Sequence, residues 1–211
     1  MLTVAGLLQK EVIFSYFASK YKHMASNKVE EIIEKYLQRE VERGLNQLPG
    51  SIEPEMLAPG QEANQEWKTW LPIASTVTDE EIAAVEEKIK CKLPASYVKF
   101  LKYKHFYELH IGEATFCRHP LRTWQNALGN MILERHPNEY LYDIGLIPFA
   151  DWSDWGLLCF DTRRNYFTAD YPVVLWDHEV ADNYTDYSMN FNVAIKKLDK
   201  EDERSWERDA E

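Results

Sequence analysis

The stretch from Thr78 to Tyr107, TDEEIAAVEEKIKCKLPASYVKFLKYKHFY, leaves the chain little choice of local structure. Thr78 followed three residues later by Glu81 is the capping-box pattern, in which each side chain serves the other residue's backbone N–H. Asp79, Glu80 and Glu81 place acidic charge in the first turn, where the helix dipole favours it. Ile82, Val85 and Ile89 recur at helical spacing and form one apolar stripe. Leu93 precedes a proline and is pushed out of the helical region, so this helix must stop before Pro94. Pro94 suits the first turn of a second helix. Tyr97, Phe100, Leu101 and Lys104 fall on one face of it, with Val98 and Phe106 beside them. The spacing predicts two helices joined by a sharp corner. Core packing, not chemistry, is their expected role.

Upstream, residues 4–24 carry Leu7, Leu8, Val12, Phe14, Phe17 and Tyr21, a broad stripe that predicts a helix. Residues 28–43 are sharper: Val29, Ile32, Ile33, Tyr36, Leu37 and Val41 share a face, and Gly44 is a C-cap. Residues 1–45 therefore form an N-terminal helical extension, expected to pack on the domain downstream of it. Residues 46–66 hold Pro49, Pro54 and Pro59 with Gly50 and Gly60, a density that marks a linker. It is expected to cross the surface as an ordered but irregular strap. The domain proper begins near Trp67.

Downstream, Ala114 to Cys117 predicts a short strand. Leu121, Trp124, Leu128, Met131 and Ile132 predict a helix that ends before Pro137. Ile144 to Phe149 and Trp155 to Phe160 are rich in strand formers, split by a tight turn at Asp151-Trp152-Ser153-Asp154. A polar loop over 162–170 leads to a strand from Tyr171 to Trp176, with Pro172 confined to its start or to an edge. Phe191, Ala194, Ile195 and Leu198 mark a last helix capped by Ser188 or Asn190. The tail, 199–211, is charged and expected to fray. Sequential strands flanked by helices, without strict alternation, predict an α+β fold with a mainly antiparallel sheet.

Charge and cysteine usage narrow the function classes. The net charge is −11, and residues 71–211 carry 16 basic and 25 acidic residues, a net −9. Such a surface repels nucleic acid and anionic membrane and attracts basic partners. Cys91, Cys117 and Cys159 have neither metal-ligand nor redox spacing and read as reduced thiols. The short apolar run at the N-terminus has no basic region ahead of it, and no run reaches the ~20 residues of a membrane span. A cytoplasmic location is expected.

Signatures of catalysis are sparse. Asp177-His178-Glu179 at a strand end is the one constellation suited to a divalent metal or to acid and base roles. Strand alternation, however, sends Asp177 and Glu179 to one face and His178 to the other. His105, His110, His119 and His136 are scattered over loops and helices, and the two before prolines read as helix-boundary groups. There is no nucleophile elbow and no Gly-rich phosphate loop. No catalytic residue and no cofactor are assigned. Interaction character is strongest at Asp151, Trp152, Asp154 and Trp155, because an aromatic at a turn either fills the core or anchors a partner. Trp155, beside Gly156, is the core candidate and Trp152 the interface candidate. Asp161 and Asp177 stand at strand ends and either cap loops or meet a partner.

Three blocks carry a resemblance. WKTWLPIASTVT with the capped acidic helix and LP-x-x-Y-x-x-FL, then IPFADWSDWGLLCFD at 147–161, then YPVVLWDHE at 171–179, resemble the SUKH superfamily in its order. That superfamily includes fungal Smi/Knr cell-wall regulators and many bacterial immunity proteins. The likeness covers residues 67–198, roughly two thirds of the chain. It implies a single SUKH-like α+β domain that binds another protein and has no established catalytic residues. In bacterial members the implied partner is a toxin domain, often a nuclease with a basic cleft, which the protein neutralises. The candidate contact residues are Asp151, Trp152, Asp154, Trp155, Asp161, Asp177 and Glu179. The fungal branch implies a regulatory scaffold in cell-wall synthesis instead. Trp152 and Trp155 depart from the family, which often has glycine-rich, less aromatic residues there.

Overall fold

The computed structural model describes residues 28–61, 65–164, 170–180 and 183–209. The helix expected over 4–24 lies outside them. The first described helix, α1 (Lys28–Arg43), buries the stripe Val29, Ile32, Ile33, Tyr36 and Leu37. Gly44 ends it at a φ of +68°, a left-handed conformation that glycine adopts without steric cost. The strap after it contains β1 (Gln47–Pro49), paired antiparallel with β2 (Trp67–Thr69). Met56 in the strap and Trp70 just beyond β2 are fully buried, so the strap is part of the core.

The corner forms as expected. In α2 (Asp79–Lys88), Thr78 Oγ1 accepts from Glu81 N–H at 3.2 Å, and Glu81 Oε2 accepts from Thr78 N–H at 2.9 Å. After Pro94, α3 (Ala95–Leu101) buries Tyr97, Phe100 and Leu101. Lys104 is not on that helix face. It belongs to β4 (Lys104–His105), which pairs with β3 (Ile73–Ala74).

A six-stranded antiparallel sheet occupies the centre, in the order β10-β9-β8-β7-β6-β5. Its members are β5 (His110–Ile111), β6 (Ala114–Phe116), β7 (Leu146–Trp152), β8 (Gly156–Asp161), β9 (Val173–Asp177) and β10 (Tyr184–Ser188). Helix α4 (Trp124–Leu133) links β6 to β7, and α5 (Phe191–Asp209) closes the described chain. Every residue of β8 is buried. Leu158 and Phe160 join the main core, while Leu157 and Cys159 face a second cluster with Leu141, Leu146, Val174 and Trp176. Burial on both faces explains why GLLCFD reads as a continuous apolar run and not as an alternating one. β10 was not legible, because Tyr184, Thr185 and Asp186 are exposed and show no alternation.

Polar contacts bind the N-terminal extension and the tail to the domain. Lys35 of α1 pairs with Asp199 and Glu203 of α5, and Arg39 with Asp202 at 2.7 Å. The Tyr36 hydroxyl donates to Asp202 at 2.8 Å. These partners hold 199–203 helical, so α5 continues to Asp209 through the stretch expected to fray. Asn190 caps its start, accepting from Val193 N–H at 3.0 Å. Lys104, 1% exposed, meets Glu34 of α1 at 3.1 Å, and the Tyr103 hydroxyl donates to the same carboxylate at 3.0 Å.

Removing one partner of a buried ion pair strands the other charge. Glu34→Ala is therefore expected to lower stability by about 3 kcal/mol, the low end for such pairs because Glu34 is itself partly exposed. Adding Lys104→Met is expected to restore most of the loss, because the buried charge that had lost Glu34 is gone. Urea denaturation midpoints of the single and double variants test both statements.

Candidate interaction site

The β7–β8 hairpin positions most of the expected residues. Its turn is tight: Trp152 stands opposite Gly156, and Ser153 takes a φ of +49°. Ser153 N–H donates to the Glu113 carbonyl at 2.8 Å, fixing the turn against the loop between β5 and β6. Gly156 is required, because a Cβ there would lie 2.8 Å from the Trp176 carbonyl oxygen of β9. The close approach of β8 and β9 brings the hairpin turn beside the end of β9. His178 N–H then donates to the Trp155 carbonyl at 3.0 Å. Asp177 Oδ1 accepts from Glu179 N–H at 2.9 Å, an Asx-type turn that holds the segment after β9 in a bend.

Asp154, Trp155, Asp177, His178 and Glu179 consequently line one open depression at this end of the sheet. Asp154, His178 and Glu179 are exposed, and Trp155 and Asp177 are half-buried. Three carboxylates around an indole form a surface suited to cationic side chains, since guanidinium and ammonium groups both pair with carboxylates and stack on indole faces. Among the described residues, no group of three or more His, Cys, Asp and Glu side chains is placed to hold a metal ion.

The other expected residues lie elsewhere. Asp151 pairs with Arg135, just past the end of α4, at 2.8 Å and lines a separate cleft with Arg118, Asn130 and Cys117. Trp152, expected as the interface residue, packs edge-on against Tyr187 of β10 at 5.3 Å and joins the rim of the main core. Trp155, expected in the core, faces the depression. The cause is that β7 runs on to Trp152 and takes up the first two residues of the expected turn, so the indole of Trp152 sits on the sheet and that of Trp155 on the turn.

Asp161 is 1% exposed and serves the fold. Its Oδ1 accepts from Arg163 Nε at 2.8 Å, and its Oδ2 accepts from Arg163 Nη2 at 2.9 Å and Arg164 Nε at 2.7 Å. Arg163 lies over the Tyr184 ring and Arg164 reaches Asp186, so this carboxylate ties the loop after β8 to β10. Burial pushes its carboxyl up, but the hydrogen bonds and charges of the two arginines outweigh this and hold it below the usual carboxylate range. Arg163 and Arg164, in the stretch expected as a polar loop, are thus half of a structural network. Sequence reasoning also missed a buried contact between His105 and His119. No local signal marks it, because the two residues are brought together by a bridge between segments not expected to pair.

This architecture, an antiparallel sheet packed against a capped two-helix corner and a closing helix, defines an α+β module of the SUKH type. The chain matches the model of the SMI1 / KNR4 family (SUKH-1) over residues 76–197, more than half its length, and it belongs to that family. The match begins at Thr76, so α1 and the strap lie outside it. No curated protein matches the chain. Among the described residues, no helix is long and apolar enough to cross a membrane.

Replacing Asp161 by Asn removes the charge and one of the two acceptor oxygens that the two guanidinium groups share. Asp161→Asn is expected to cost about 2 kcal/mol, typical of hydrogen bonds to charged groups. Because the folded carboxyl is held below its ordinary 3.8, its contribution is present above that pH and is lost as pH falls below it. Wild-type stability should therefore drop more steeply than that of the variant below about pH 4. Thermal melts of both proteins between pH 7 and pH 3 check this.

Proposed function

We propose that this protein is a non-catalytic binding module, an immunity protein that docks on a cognate toxin domain and blocks it. The observation that carries the reading is the depression that Asp154, Asp177 and Glu179 line together with the half-buried Trp155. A net charge of −11 extends the same sign over the rest of the chain. An acidic surface steers a basic partner into encounter, and an aromatic anchor within it supplies area that stays dry once bound. Membership of a family in which the sequence resemblance implies protein binding supports the same reading. The basic substrate cleft of a nuclease is the partner chemistry this surface complements.

The test begins with capture of the tagged protein from its native cells and identification of what it retains. A retained polypeptide that is toxic when expressed alone, and harmless when co-expressed with this protein, is the expected result. The triple variant Asp154→Asn, Asp177→Asn, Glu179→Gln should then bind it at least tenfold more weakly and with a flatter dependence on salt, measured by calorimetry. Retention of non-toxic wall-synthesis or signalling proteins alone would move the assignment to a regulatory scaffold. Unchanged affinity of the triple variant would remove this depression from the interface.

A further inference from the structure

We propose that the His105–His119 pair is an acid-sensitive latch, which holds the strap and α4 to the helical corner and opens when one extra proton enters it. Both residues are buried, and their rings stack with centroids 4.7 Å apart. The two Nδ1 atoms lie 3.1 Å from each other. Thr76 N–H donates to His105 Nε2 at 3.0 Å, so that nitrogen carries no proton. The proton of neutral His105 is therefore on Nδ1, directed at His119 Nδ1 and at the His119 carbonyl oxygen 3.2 Å away. His119 Nδ1 accepts, which puts the proton of that ring on Nε2. His119 Nε2 is buried with no hydrogen-bond partner among the described residues.

This arrangement is satisfied by one proton per ring, and of the described groups nearby only the Lys104 and His119 backbone carbonyls favour a charged His119, against burial and the His105 ring. An added proton on His119 Nδ1 sets two N–H groups against each other across 3.1 Å. An added proton on His105 Nε2 faces Thr76 N–H, and its one acceptor is Thr76 Oγ1 at 3.2 Å. Either event breaks a bond and leaves a buried cation, which is costly without a counter-ion. The surrounding charges do not supply one in contact. Glu53 and Glu81 favour the charged form of His105 from a distance. Glu53 is engaged with the N–H groups of Leu121 and Arg122, and Glu81 with that of Thr78. Lys104 is paired with Glu34, and Arg122 with Glu55. Burial accordingly lowers the pKa of His105, and burial with the adjoining His105 ring pushes that of His119 down to about 3.

The elements joined here are those that must part. Phe106 and His119 exchange both backbone hydrogen bonds, at 3.0 and 2.9 Å. Two residues on, the Leu121 and Arg122 amides are clamped by Glu53 of the strap. Trp124, the first residue of α4, packs on the His119 ring at 5.2 Å. Thr76, on the far side, leads into the Thr78 cap of α2.

Both rings resist a second proton more strongly in the closed state than in water. An opened state takes up the proton near the ordinary 6.5, so the closed state is fully favoured above that pH and loses ground as pH falls from 6.5 toward 3. At pH 5.5, opening that exposes His119 alone rises about tenfold over its value at pH 7.5.

Amide hydrogen exchange of the wild-type protein at pH 7.5 and 5.5, corrected for intrinsic rates, tests this. Protection at Thr76, Phe106, His119, Leu121 and Arg122 should fall by about tenfold more than at Leu158 and Val174 of the central strands. In the variant His105→Gln, His119→Asn, which offers non-titrating acceptors at the same places, the selective loss should vanish. An equal loss across the sheet, or the same selective loss in the variant, would overturn the latch. Should the variant not fold, an NMR titration of the wild-type imidazoles decides. A His119 ring that takes up its proton near pH 6.5 in the folded state would equally overturn the proposal.

Discussion

Tyr97 and Phe100 of α3 press into the face of the central sheet, and the rest of the molecule is arranged around that contact. Tyr97 lies within 5.2 Å of both the Phe160 and the Phe191 ring, and Phe100 within 5.2 Å of Phe191. Phe149 and Phe160, neighbours on β7 and β8, stack at 4.3 Å beneath them. Aromatic pairs add about 0.5–1.5 kcal/mol each beyond the area they bury. The contact works only if α3 starts at a fixed angle to α2, which the corner at Pro94 provides. It also needs α5 to arrive from the far edge, because Phe191 is the first residue of that helix. The helix on which the chain ends thus meets the corner in the middle.

The sheet beneath is rigid for a related reason. β8 has apolar neighbours on both faces, so the three strands β7, β8 and β9 cannot slip by one residue without exchanging two packed clusters. Gly156 lets β8 approach β9 closely at one end. Turns carried on such a base are held in place while their side chains stay exposed, an arrangement common to binding surfaces. Asp154 and Trp155 on the hairpin turn gain a common depression with Glu179 from this base and not from sequence proximity.

The interior is less uniformly apolar than its aromatic content suggests. Lys104 with Glu34, Asp161 with two arginines, and the His105–His119 pair each place polar groups where water does not reach. Each joins segments far apart in the chain: α1 to β4, the β8 loop to β10, and the corner to α4. Polar groups of this kind tolerate few alternative partners, so they restrict which elements dock on which. One of these joins, Lys104 with Glu34, reaches α1, which lies outside the span shared with the family.

Local energies determined much of the fold from the sequence alone. The capping box at Thr78 and the stop before Pro94 rest on contacts within a few residues, and the stripe of α1 and the apolar runs of β7 to β9 are patterns continuous in sequence, so all could be placed from spacing. The α+β class followed from their order, and the family likeness from three short blocks. Tertiary structure decided what depends on partners distant in sequence. β10 forms because β9 offers it hydrogen bonds, although Tyr184 to Asp186 show no pattern of their own. α5 extends through the charged tail because Lys35, Tyr36 and Arg39 of α1 lie alongside it. Asp161 and Asp154 look alike in sequence, both acidic residues near strand ends. One is buried under two arginines and the other exposed beside Trp155, because burial depends on which surfaces the folded chain brings together.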